Sequence, residues 1–135
     1  MPTDRFLPLV VALLVTASHP ALAQQEAGTT GNDFTLSCSF VQECYETEPC
    51  ADTDFALSVE GRVGGLGAGV MLARATLSSV SGDVDTFGTR GAGALFLQGG
   101  DGAVRHYLAV AGSAARYTVH LAAGPASVSY FGTCE

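Results

Sequence analysis

From Phe34 to Phe40 the chain alternates. Phe34, Leu36, Cys38 and Phe40 stand on one parity, and Thr35, Ser37 and Ser39 on the other. A period of two is that of a strand with one buried face, so Cys38 is predicted to point inward. Phe55, Leu57 and Val59 repeat the pattern and predict a second strand. In the last third, Val104–Val110 reads as a strand. Tyr117, Val119 and Leu121 then alternate with Arg116, Thr118 and His120, and Ser127–Glu135 forms a closing strand with Val128, Tyr130, Gly132 and Cys134 on one parity. Val84–Thr89 and Gly93–Gln98 predict two short strands around Arg90-Gly91. Val70–Val80 is ambiguous, since its Ala, Leu and Met residues allow a helix and no parity is clean. Its surroundings favour a strand. Five glycines between Gly61 and Gly69 predict a turn or flexible loop. A dinucleotide-binding turn at Gly65–Gly69 would need a βαβ unit that this pattern does not offer.

Short strands separated by glycine turns predict an all-β fold: a small antiparallel β-barrel or sandwich of about seven to eight strands. Phe34, Phe40, Phe55, Phe96 and Tyr130 are the candidates to fill its interior.

The four cysteines, Cys38, Cys44, Cys50 and Cys134, are an even set and predict two disulfides. Cys44–Cys50 with Cys38–Cys134 is the favoured pairing. The first closes a short loop containing Pro49, and the second joins two strands on whose apolar parity both cysteines lie. Cys38–Cys44 with Cys50–Cys134 stays open, although it would bend the first strand. A first-to-last staple suits a closed barrel, which leaves no free edge.

Residues 1–23 read as a signal peptide: Arg5, an apolar run from Phe6 to Ala17, and a small-residue site at Ala21-Leu22-Ala23. The run is shorter than the roughly 20 residues of a spanning helix, so no membrane anchor is expected after cleavage. Residues 24–32 are polar and small and predict a flexible tail. One domain is expected over 33–135, periplasmic or secreted, where disulfides persist.

Charge narrows the partners. The chain carries a formal net charge of −7. It has no lysine, and its arginines are scattered rather than striped, which argues against nucleic acid. Acidic residues gather at Glu43, Glu46 and Glu48, around Tyr45. A solvated loop is the plain reading. The sharper one is a contact surface for a basic protein, with Tyr45, Glu46 and Glu48 as its core. Calcium loops need alternating Asp or Asn with a glycine, which is missing here. His106 and His120 read as solvated strand-face residues, not metal ligands. No nucleophile motif is present, so the chain is expected to be neither an enzyme nor dependent on a cofactor or metal.

The run Phe34-x-x-x-Cys38, Glu43-Cys44-Tyr45-Glu46-Thr47-Glu48-x-Cys50 and Gly132-Thr133-Cys134-Glu135 resembles a family of small exported bacterial β-proteins without an assigned activity. Gly112–Thr118 and Tyr130–Cys134 are similar to periplasmic inhibitors of c-type lysozyme. In that family the loop before the final strands enters the target's cleft. The resemblance implies contact roles for Ser113, Arg116 and Tyr117, although Ala114 stands where the family has a turn glycine. Two functions follow as expectations: a non-enzymatic binding or inhibitory module in the periplasm, and a lipocalin-like carrier of a small apolar ligand. They are separated by whether the barrel interior is filled.

Overall fold

The computed structural model describes residues 32–67 and 69–135, without the side chains of 66 and 67. The expected signal peptide, and all of the expected tail except Asn32, lie outside the described residues. These residues form β1 (Asp33–Tyr45), β2 (Ala51–Asp52), β3 (Ala56–Gly67), β4 (Val70–Ser79), β5 (Gly82–Gly91), β6 (Ala94–Gly100), β7 (Val104–Ala111), β8 (Ala114–Leu121) and β9 (Ala126–Cys134), with no helix among them.

Every pairing is antiparallel. The order runs β1-β3-β4-β5-β6-β7-β8-β9, and β9 pairs back onto β1, so eight strands close a barrel. The two-residue β2 adds to β1 beyond the start of β3, with Gln42 opposite Asp52 and Glu43 opposite Ala51. Val70–Ser79 is a strand, as its context suggested. Closure satisfies both edges of each long strand, which an open sheet of this length could not do.

The parity that alternation assigned to Cys38 and Cys134 holds. The two lie directly opposite each other across the β1–β9 seam, both are buried, and they form one disulfide; Cys44–Cys50 forms the other. Two disulfides point to an oxidising, extracytoplasmic environment. Leu57, Val59, Leu77, Leu95, Leu97, Leu108 and Val110 fill the core around Phe40. Thr86, also buried, donates its hydroxyl to the Ala75 carbonyl at 2.7 Å and so carries no unmet polar group inward.

Two expectations are corrected. Gly61–Gly67 is strand, and of the five glycines Gly69 alone lies in a turn. β3 continues to Gly67 and pairs with β4 up to Val70, with a register shift between Gly65 and Gly67. Backbone pairing needs no side chain, and inward Val59 and Val63 hold the parity of β3. Phe96 does not fill the barrel either. It faces outward and is 57% exposed, because Leu95 and Leu97 occupy the inward positions on either side of it.

A bulge at Val41 sets up the rest. Phe40 pairs with Gly132, but Gln42 pairs with Phe131, so one residue of β1 is unmatched. Val41 itself is left 68% exposed. Beyond it the inward parity of β1 switches, and Glu43 and Tyr45 come to lie opposite the inward Tyr130 and Val128. Gly132 permits this crossing. A Cβ there would fall on the Ser39 carbonyl oxygen and come within 2.6 Å of the Phe40 Cα.

Candidate functional site

The two ends of the barrel differ. Toward the β3–β4 turn, Phe34 and Met71 pack on the core, and the Arg90 guanidinium lies 5.3 Å from the Phe34 ring centre. At the other end, where the Cys44–Cys50 hairpin and the β4–β5 and β8–β9 turns gather, a cup of about 270 Å³ opens. Its wall is apolar: Phe55, Leu57, Leu77, Val84, Val119 and Val128. His106, Tyr117 and Tyr130 supply its polar atoms, together with Ser79 and Ser81.

The floor is a cluster of rings. Phe55 stacks on Tyr117 at 5.7 Å and lies 4.6 Å from Tyr130, and Phe40 sits beneath, 5.8 Å from Phe55 and 6.1 Å from each tyrosine. His106 stacks on the far side of Tyr117 at 5.9 Å. Rings offset at such spacings attract beyond their burial.

Tyr117 Oη and His106 Nδ1 are 2.6 Å apart. Burial pushes the Tyr117 phenol up to about 12, so it keeps its proton. Burial also lowers the His106 pKa, outweighing the nearby Asp101 charge, so the imidazole is neutral at neutral pH. The bond runs either from the phenol to Nδ1, with the ring's own proton on Nε2, or from Nδ1–H to the phenol oxygen. Tyr130 faces Glu43 across the β1–β9 ladder. Burial first, then hydrogen bonding and charge from Glu43, push it up to about 12 as well.

These shifts fix an alkaline response. An unfolded tyrosine ionises near pH 10. Between there and about 12 the fold retains protons that the unfolded chain has lost. The stability from both phenols is complete below about pH 10 and is lost as pH rises through about 12. A pH titration followed by phenolate absorbance and circular dichroism is expected to show a late phenolate fraction emerging together with loss of strand signal. Complete ionisation near pH 10 in a still-folded barrel would contradict this placement.

The residues singled out from the sequence are dispersed. Tyr45, Glu46 and Glu48 lie on the hairpin beside the cup, with Tyr45 41% exposed. Glu46 is not free: its carboxylate accepts from the Ser127 amide, and its own amide donates to the Ser127 carbonyl at 3.1 Å. Glu48 is exposed, its amide tied to the Tyr45 carbonyl at 3.0 Å. Ser113 sits in the β7–β8 turn at the opposite end of the barrel. Arg116 is on the outer wall, its guanidinium 4.6 Å from the Phe131 ring centre. Tyr117 cannot join a surface with them, because it is 5% exposed and inside the barrel.

His106 also departs from expectation. It is half-buried in the cup, whereas His120 is an exposed outer residue in edge contact with Tyr107. The signal was present in the sequence, since His106 shares its parity with Leu108 and Val110, which are both buried.

A second feature lies on the outer wall. Phe87 (58% exposed), Phe96, Leu72 and Tyr107 line an apolar groove that Arg116 and Thr118 border. The neighbouring outward residues of β1 and β3 are polar: Thr35, Ser37, Ser39, Ser58, Glu60 and Arg62.

No protein-family model, no curated protein and no solved structure matches the chain, so its site is read from its own geometry.

Proposed function

We propose that this barrel is a non-enzymatic binding protein of the periplasm or the extracellular space, and that it holds one small apolar molecule in the cup. One observation carries the reading. Among the described residues the interior is packed through its middle around Phe40, and a recess of about 270 Å³ opens at the end where Phe55, His106 and Tyr130 meet. An apolar recess with a few convergent polar atoms is the usual form of a small-molecule site. The volume lies just below the range of roughly 300–1,000 Å³ for drug-sized ligands, which favours a ring-sized molecule over a long lipid chain. The test is a titration with toluene and a straight-chain alkane of similar carbon count, followed by amide NMR. Saturable shifts at Leu57, Val84, Val119 and Val128, larger for the ring, are expected. Shifts that never saturate, or that scatter over the whole barrel, would remove the reading.

A second reading, a protein-binding or inhibitory module, is favoured by the outer groove. Exposed apolar patches framed by polar surface mark contact sites more often than isolated apolar residues do. Shifts confined to Phe87, Phe96 and Tyr107 on adding a partner protein would favour it.

A further inference from the structure

We infer that the molecule held by the cup is neutral and ring-sized and carries one hydrogen-bond acceptor, a carbonyl or ether oxygen, which His106 Nε2–H meets. The inference rests on the cup being the binding site and goes on to name the chemistry of its occupant.

Three observations carry it. The first is the occupied nitrogen. Tyr117 Oη lies 2.6 Å from Nδ1; in the tautomer that belongs to this inference the phenol donates there and Nε2 carries the ring's only hydrogen. Among the described residues no side chain or carbonyl accepts from Nε2, and His106 lines the open volume. The cup therefore presents a donor that lacks a protein acceptor. An apolar ligand that covered it without accepting would strand a polar group away from water, whereas a ligand oxygen would satisfy it.

The second observation is the rest of the lining. Phe55, Leu57, Leu77, Val84, Val119 and Val128 offer contact area and no hydrogen bond from their side chains. Ser79 is already engaged, its hydroxyl bonded to the Gly82 carbonyl and accepting from the Ser81 amide. The Tyr117 hydroxyl is taken up by His106 and that of Tyr130 by Glu43, and Ser81 is exposed at the rim, so most of the ligand is apolar and its inner polar point is at His106. Flat rings on the floor favour a planar body, because stacked faces bury area with little loss of rotamer freedom.

The third is charge. No charged side chain lines the cup, and around its rim three acids, Glu43 against Tyr130, Glu46 on the hairpin and Asp101 beside His106, outnumber the one cation beside Asp101, Arg105. In a chain of net charge −7 these disfavour a carboxylate or phosphate ligand. A neutral acceptor meets the donor without that repulsion.

The test compares acetophenone, ethylbenzene and benzoate, which share a ring and differ in the acceptor and the charge. Binding to the disulfide-intact protein is followed by amide NMR at Val84, Val119 and Val128. Acetophenone is expected to bind about five- to tenfold more tightly than ethylbenzene, the range of one neutral hydrogen bond. Benzoate is expected to bind more weakly than acetophenone. The double variant His106→Phe/Tyr117→Phe removes donor and partner together and keeps both rings; in it the ketone's advantage is expected to vanish while ethylbenzene still binds. Imidazole nitrogen shifts in the unmutated protein give a readout independent of any variant: Nε2 protonated, and moving when acetophenone is added. Equal affinities for acetophenone and ethylbenzene would overturn this inference and leave the cup as a site. Benzoate binding as tightly as acetophenone, or a proton found on Nδ1, would overturn it too. Failure of all three to bind would instead remove the proposed function on which it rests.

Discussion

Replacing Cys38 and Cys134 together by alanine is expected to lower the unfolding free energy by about 4–5 kcal/mol, whereas replacing Cys44 and Cys50 is expected to cost only about 2 kcal/mol. The difference follows from the loops closed. The two bridges span sequence separations of 96 and 6. In the chain-entropy model the longer loop restricts the unfolded chain far more. Local structure adds to the contrast. Cys38 and Cys134 are 2% and 3% exposed inside the barrel, so alanine there also leaves unfilled space at the seam. Cys50 lies on the surface, and its loop is already anchored through Glu46 to Ser127. Urea unfolding of the two double variants, compared by midpoint and slope, measures both losses. Equal losses, or a larger one for the hairpin, would mean that the β1–β9 closure does not hold the barrel as described. The hairpin variant should show its effect in ligand affinity instead, since Tyr45 at the hairpin's base pairs with Val128, which lines the cup.

What could be seen in the sequence was whatever has a period of two. Cys38 and Cys134 could be placed inside because each shares its parity with large apolar neighbours on its own strand. The same local rule failed on β6. Leu95, Phe96 and Leu97 offer apolar side chains on both parities, and the choice belongs to the whole sheet: two leucines go in and the phenylalanine goes out. It failed again at Val41, where one extra residue switches the parity of everything after it and sets Glu43 and Tyr45 opposite Tyr130 and Val128. No alternation pattern announces a bulge inside a polar stretch. The site itself is a product of register. His106 meets Tyr117 because β7 and β8 pair with His106 opposite Val119 and Leu108 opposite Tyr117. Tyr130 meets Glu43 because the last strand closes on the first. Ser113 and Tyr117 are four positions apart in sequence, yet they lie in an end turn and inside the wall, respectively. Neighbourhood along the chain is therefore a poor guide to neighbourhood around a barrel.

Phe40→Ala is expected to destabilise the protein by about 3–5 kcal/mol, and to do so in a way that reports on the cup. Phe40 is 1% exposed and supports three other rings from below, Phe55, Tyr117 and Tyr130. Removing its ring takes away apolar burial and leaves a void that the backbone cannot collapse, because Gly132 and the Val41 bulge already bring the β1 and β9 chains as close as they can pass. That void adjoins the cup floor. A ring-sized apolar ligand should therefore stabilise the variant more than the unmutated protein, by up to about 2.7 kcal/mol at a hundredfold excess over its dissociation constant. Phe87→Ala is the matched control. Phe87 is 58% exposed on the outer wall, so its loss should change stability by no more than about 0.5 kcal/mol. Thermal unfolding of both variants, with and without toluene, separates the cases. A large loss at Phe40 that toluene partly restores, beside a small and toluene-insensitive loss at Phe87, is the pattern of a barrel packed in the middle and open at one end. Similar losses at the two positions would mean that the interior is not built around Phe40. A Phe40 loss that toluene leaves unchanged would mean that the cup and the core are separate spaces, and that the ring cluster closes the core without forming part of the binding surface.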